Sequence, residues 1–237
     1  MEIAYIVAAC AALAITIWKL RLLTPHGAAG AFLIAVLIWQ FRGFKWLLVL
    51  LAFFFISAAA TRWKYGHKEK AGTAEARKGK RSIENVMGSA YAPLLFVVFD
   101  SPVGFLAAVA AAVADNLASE IGVLDKNVRL ITTLRKVPPG TDGGVSLLGE
   151  LVSLLAAAGV AALSPLIGIS SAGTILTILL CGFLGSQFDS VLGATIERRG
   201  LVGKTEVNVA ATLFAGLLAV VLMNWGVDLY IEQLLTI

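Results

Sequence analysis

Residues 151–188 read LVSLLAAAGVAALSPLIGISSAGTILTILLCGFLGSQF, 38 residues without one Asp, Glu, Lys or Arg. A membrane crossing takes about 20 mostly apolar residues, so this run is too long for one span and long enough for two. Ser164-Pro165 and the stretch from Gly168 to Ser171 supply the break, because Pro and Gly end helices and favour turns. Working outward, further uncharged runs lie at Ile3–Trp18, Leu22–Phe41, Trp46–Thr61, Val86–Phe99, Ser101–Ala114 and Val207–Val227. The run from Ser101 extends to about Val123 if Asp115 sits inside the bundle. The expectation is an all-α, polytopic transmembrane bundle of eight spans, or seven if Val86–Phe99 is only a partial crossing.

Composition agrees. Of the 237 residues, 59% are hydrophobic and 14% charged, against about 25% charged in a soluble domain. That excludes a soluble enzyme, a disordered chain and a secreted disulfide scaffold. Cys10 and Cys181 stand far apart inside apolar runs, without metal or redox spacing. Eight crossings with the N-terminus outside put 17 of the 19 Lys and Arg on the cytoplasmic side and leave Arg42 and Lys45 outside, the bias that the positive-inside rule demands. Both termini are then extracytoplasmic, and nothing longer than a turn is expected outside. Residues 1–237 form one integral membrane domain, placed in the plasma membrane of a prokaryote, with cytoplasmic loops near 62–85, 124–145 and 197–206.

Ionisable groups inside a membrane are costly and mark functional sites. Asp115 lies eight residues before Val123, and Asp189 eight before Glu197; at 1.5 Å per residue both fall about 12 Å below the cytoplasmic helix ends. Glu120 and Glu150 approach the same level, and Glu84, Asn85 and Asn208 stand where helices begin on that face. A packing role through Asn116, Ser119 and Ser190 is the alternative. The 124–145 loop joins Arg129, Thr132, Thr133, Arg135 and Lys136 to Gly140-Thr141-Asp142-Gly143-Gly144, with Ser146 opening the next helix. Glycine-rich backbone, a helix N-terminus and Arg forks suit phosphate; a basic turn obeying the charge rule is the plainer reading. Carboxylates nearby suit Mg²⁺ held against phosphates. Gly200-Leu-Val-Gly203-Lys204-Thr205 imitates a P-loop, but Arg198 stands where its first glycine belongs; Lys204 remains a candidate phosphate contact. The eight Lys and Arg of 62–81 read as attraction to anionic headgroups, so neutralising Lys68, Lys70, Lys78 and Lys80 should weaken lipid association more than turnover. No nucleic-acid partner is expected.

Asp115-Asn-Leu-Ala-Ser-Glu-Ile-Gly122, Arg129-Leu-Ile-Thr-Thr133, Gly140-Thr-Asp-Gly-Gly-Val-Ser146, Gly185-Ser-Gln-Phe-Asp189-Ser-Val-Leu-Gly193-Ala and Val207-Asn208 resemble an integral membrane family over nearly the whole chain. That family contains the plant and cyanobacterial phytyl-phosphate kinase of the vitamin E pathway. It is similar to the CTP-dependent phytol and dolichol kinases, whose DAxAxxxG pattern is met at Asp115, Ala118 and Gly122, with Asn116 in place of the second Ala. The resemblance implies phosphoryl transfer from CTP to an isoprenoid monophosphate. Asp115, Asp189 and Glu120 would hold Mg²⁺, with Glu150 beside them. Arg129, Thr132, Thr133, Arg135, Lys136, Gly140, Thr141, Gly143, Gly144, Ser146, Lys204 and Asn208 would bind phosphates. The rivals are a prenol or polyprenol kinase, which needs a base such as Glu120 or Glu150, and an ion- or proton-coupled transporter.

Overall fold

The computed structural model describes residues 2–74 and 77–235; Glu75, one of the two acids of the basic 62–81 stretch, lies outside them. The seven apolar runs become eight helices, the longest run splitting into two: α1 (Glu2–Lys19), α2 (Pro25–Arg42), α3 (Phe44–Arg62), α5 (Ile83–Val98), α6 (Pro102–Gly122), α7 (Leu147–Ala161), α8 (Ala172–Leu192) and α9 (Lys204–Asn224). A short α4 (Tyr65–Lys70) lies in the first large loop and α10 (Val227–Leu235) follows α9. The protein is a polytopic helical membrane protein. Among the described residues, five helical stretches have the length and hydropathy to cross a bilayer: Phe44–Arg62, Pro102–Gly122, Leu147–Ile167, Ala172–Glu197 and Lys204–Asn224.

Local sequence sets the helix starts. Thr24, Ser101, Ser146 and Ser171 each accept the backbone N–H three residues on, the ordinary N-cap device. Pro25 and Pro102 occupy first turns, where the missing N–H costs nothing. The break inside 151–188 is a 3₁₀ turn, Ser164–Ile167, closed by Gly168 at φ +91°.

α6 is the centre of the bundle, and every residue from Phe105 to Ala114 is buried. Its alanines let neighbours approach closely, as small residues do in membrane interfaces. A Cβ on Gly185 would sit 2.6 Å from the Ala111 methyl and 2.7 Å from that of Ala215, so α8 is pressed between α6 and α9.

Three interactions gather the loops on one face. Arg62 donates to the carbonyls of Leu20 and Arg21 at the end of α1. Leu23 pairs with Arg81 in an isolated parallel bridge. The 124–145 loop then folds over the ends of α6 and α8. On the opposite face Arg42 forms a 2.7 Å ion pair with Asp100. α10 corrects the expectation that nothing longer than a turn lies on that face. Thr174 donates to Asp228 (3.3 Å) and Ser171 to Glu232 (2.8 Å), tying α10 to the start of α8. Its amphipathic pattern gives no run long enough to read as a span.

Candidate functional site

On the loop face a cavity of about 370 Å³ opens between the ends of α6 and α8, the start of α7, and two loops. Asp115 and Asp189 stand on two parallel helices at the same depth, and their carboxyl groups interact directly, with Lys204 the nearby cation. Asn208, with its amide oriented to suit both neighbours, donates to Asp189 Oδ2 (3.1 Å) and to the Lys204 carbonyl (3.2 Å). The N-terminal part of α9 therefore holds the Asp189 carboxylate in place.

The helix ends approach through small residues. A Cβ on Gly122 would lie 3.1 Å from Gly149 Cα and 3.4 Å from Ser146 Oγ, which itself donates to the Gly122 carbonyl. Gly143 has φ +71°, and a Cβ there would meet the Ser190 carbonyl oxygen at 2.5 Å. The glycine turn is thus seated directly on the end of α8, where a π turn at Gly193–Glu197 continues the helix. Gly143→Ala is expected to cost roughly 1–2 kcal/mol for the left-handed backbone alone, with the clash added. Limited proteolysis at the adjoining loop tip should accelerate, and more than for Gly140→Ala, whose added methyl meets the Thr73 side-chain methyl at 3.0 Å rather than backbone.

The expected phosphate-binding group divides in two. Gly140, Thr141, Gly143, Gly144 and Ser146 line the cavity together with Lys204. Arg129, Thr132, Thr133, Arg135 and Lys136 do not, and all five are exposed. The reason is a small antiparallel ladder, β1 (Arg129–Leu130) with β2 (Gly144–Val145). Leu130 donates to the Arg135 carbonyl and Ile131 to that of Gly143, which turns residues 131–136 outward as a hairpin tip. Arg129 spends one N–H on the Leu134 carbonyl, 2.9 Å away.

Glu120 lines the cavity, but Lys68 of α4 holds its carboxylate in an ion pair. This corrects two expectations. Glu120 does not complete a three-carboxylate set with Asp115 and Asp189, and among the described residues no group of three His, Cys, Asp or Glu converges for a metal. Lys68 is no headgroup contact: it is fully buried and also donates to the carbonyls of Ala60 and Thr61 at 3.1 and 2.9 Å. Arg81 is buried too and donates to Asn116 Oδ1 at 2.8 Å. Lys70 and Lys78 are exposed as expected, and Lys80 is half-buried.

Glu150 lines the cavity and is hydrogen-bonded to Gln187. Asp142 and Glu197, not singled out in the sequence as site residues, line it as well. Six carboxyl side chains (Asp115, Glu120, Asp142, Glu150, Asp189 and Glu197) thus line the cavity with one lysine, Lys204, among the described lining residues, and Lys68 neutralises Glu120 from behind the wall. Such a cavity repels a bare polyphosphate. Mg²⁺ is usually held by one or two protein carboxylates, with substrate phosphates and water completing its octahedron. Two adjoining aspartates in an open cavity fit that donor set.

Fold and site together define a polytopic helical membrane protein with a carboxylate-lined cavity at one face of the bundle. The chain belongs to the family described as "Integral membrane protein DUF92", whose model matches residues 8–230, in agreement with the motifs. It is 38% identical to the uncharacterized membrane protein sll0875 of Synechocystis over 76% of this chain and 74% of that one. The uncharacterized membrane protein MJ0933 of Methanocaldococcus jannaschii is 33% identical over 89% of this chain and 90% of its own. Protein VTE6, chloroplastic, of Arabidopsis thaliana is 30% identical over 86% of this chain and 67% of its own. No solved structure matches.

Proposed function

We propose that the protein is a CTP-dependent isoprenoid-phosphate kinase, transferring a phosphoryl group to a prenyl monophosphate of the phytyl or geranylgeranyl type. The observation that carries this reading is the Asp115–Asp189 pair beneath the Gly140–Gly144 turn, in a cavity open at one face of a membrane bundle. The likeness to VTE6, in the family whose motifs resemble phytyl-phosphate kinase, supports the lipid phosphate as acceptor. Phosphoryl transfer is largely positioning and charge neutralisation. Thr141 and Gly144 donate their N–H groups to the Pro138 and Thr141 carbonyls, so the remaining backbone N–H groups of the turn, with the Lys204 ammonium, orient nucleotide phosphates. Asp115 and Asp189 would hold Mg²⁺, which when bound would supply positive charge against those phosphates. Asn208 keeps Asp189 aimed at the cavity. The acceptor monophosphate is already ionised, so no residue needs to remove a proton from it.

Glu150 at the cavity wall keeps a second reading open, a kinase of prenols, because a hydroxyl acceptor needs a base within reach. The deciding assay supplies purified protein in detergent with each γ-labelled nucleotide and a panel of prenols and prenyl monophosphates. Label passing from CTP to a monophosphate supports the proposal. Label passing only to alcohols, or to neither, overturns it.

The loop face is taken to be cytoplasmic, since 17 of the 19 Lys and Arg belong to it. A cysteine placed at exposed Lys70 should then react with a membrane-impermeant maleimide only after the inside is opened. Labelling from outside intact cells would reverse the topology and the nucleotide's side of approach together.

A further inference from the structure

We infer that the corner where α1 turns into α2 is a seat for one anionic phospholipid of the leaflet on the loop face, its phosphodiester held by Lys19, Arg21 and Lys80 and one of its chains lying along the α1–α2 seam. The inference stands apart from the kinase reading, because no residue of this seat lines the carboxylate cavity.

A cleft of about 290 Å³ at this corner is lined by Trp18, Lys19, Arg21, Thr24, Pro25 and Lys80, among others. Its lining includes no Asp or Glu, and among the described residues no carboxylate pairs with its three cations. Lys19 and Arg21 are exposed, and Lys80 is half-buried. Thr24 and Pro25 open the 18-residue α2, whose N-terminus adds partial positive charge. A zwitterionic head would bring its own cation against this set, whereas a head with net negative charge meets only attraction.

Tertiary structure builds and fixes the cluster. Lys80 reaches it because the adjoining Arg81 is paired with Leu23, its N–H donating to the Leu22 carbonyl and its carbonyl accepting from Thr24. Arg62 holds the corner from another side through the Leu20 and Arg21 carbonyls. The N–H groups of Arg21 and Leu22 return to the carbonyls of Trp18 and Ile17, a Schellman ending to α1 whose left-handed residue is usually glycine. Here that residue is Arg21, at φ +58°. A side chain costs backbone energy in this conformation, and what arginine adds over glycine is a guanidinium whose fork suits phosphate oxygens.

Trp18 and Pro25 are shared with an open apolar groove of about 300 Å³ along the α1–α2 seam, lined also by Ala14, Ala28 and Phe32. The groove does not have to enclose a chain: one side of an acyl chain packs on it, and the other side and the second chain stay in the bilayer. Trp18, 46% exposed at the junction, is of the residue type that collects at the membrane–water interface. Three cations at the head of an apolar track thus match a phosphate joined to hydrocarbon. Their separation from the aspartate pair suits a resident lipid and not a reacting one.

The test titrates the full-length protein in neutral detergent with phosphatidylglycerol or phosphatidylcholine of the same chains and reads retained lipid by native mass spectrometry. One phosphatidylglycerol should be held on the order of tenfold or more tightly than phosphatidylcholine, since each basic residue near a lipid surface contributes on the order of fivefold. Lys19→Gln, Arg21→Gln and Lys80→Gln combined should abolish that preference. Lys70→Gln, Lys78→Gln and Lys126→Gln combined, the same charge change at exposed positions elsewhere, should leave it. Arg21→Gly is the sharper variant. Its lipid-free melting temperature should hold or rise, because glycine tolerates the left-handed backbone, while phosphatidylglycerol affinity falls about fivefold. Phosphatidylglycerol with a diazirine in one chain should label α1 and α2 along the seam, and Ala29→Phe in the groove should cut that labelling. Equal loss in the control combination reduces the seat to diffuse surface charge and overturns the inference, as does unchanged affinity in Arg21→Gly. Displacement by inorganic phosphate would make this a soluble-anion site, and displacement by geranylgeranyl monophosphate at lower concentration than by phosphatidylglycerol would make it an entry for the acceptor. Either result overturns the phospholipid assignment.

Discussion

Asp115→Asn and Asp189→Asn are each expected to lower Mg²⁺-dependent turnover by on the order of 10²-fold or more, the scale of losing one preorganised electrostatic contact. The double variant should be little worse than either single one, because groups serving one ion act as a unit. Asn keeps the size and hydrogen bonding of Asp and removes only the charge. A stability readout separates this from misfolding. In the protein without cation the two adjoining carboxylates repel unless one takes a proton, so neither substitution should destabilise the fold. Mg²⁺ with nucleotide should raise the unfolding temperature of the wild type by mass action, and that increment should vanish in both variants. Near wild-type turnover in both, with the Mg²⁺ increment intact, would sink the site assignment.

The second large effect concerns Lys68 and Glu120. Lys68 is wholly buried and Glu120 has 12% of its side chain exposed. Removing one partner of a buried ion pair typically costs about 3–5 kcal/mol, because the other charge is left without its counter-charge. The cost here should be unequal. Glu120, left alone in Lys68→Met, can turn toward the water of the cavity. Lys68, left alone in Glu120→Gln, keeps only neutral oxygens around a charge with no route to solvent. Glu120→Gln should therefore lower the melting temperature more, and the double variant should recover part of the loss in a double-mutant cycle. Additive effects, or unchanged melting in Glu120→Gln, would mean the pair ties nothing. Since Gly72, Thr73 and Ala74 line the cavity just beyond α4, loosening Lys68 should also expose the 62–82 loop to proteases.

Much of the architecture was legible because the bilayer makes it so. A backbone in hydrocarbon must satisfy its own hydrogen bonds, so the long apolar runs became helices, and Ser, Thr and Pro marked the starts. The depth match of Asp115 and Asp189 followed from rise per residue alone, and the two carboxyls do meet. What failed in the 124–145 loop failed for a local reason. Composition grouped Arg129, Arg135 and Lys136 with the glycines, but the pairing of Arg129 with Val145 and Leu130 with Gly144 separates the basic tip from the turn that lines the cavity.

The chain's own order of residues determined that this is a helical membrane protein, where its helices begin, and which two aspartates share a level, because periodicity and hydrophobicity are properties of contiguous sequence. Tertiary structure alone decided that Lys68 and Arg81 are buried and that Glu120 is bound to Lys68. Lys68 and Glu120 are 52 residues apart, and Arg81 and Asn116 are 35 apart. Charges in a basic loop look alike until packing takes some of them out of water, and the energy of doing so depends on partners that only the folded bundle brings near.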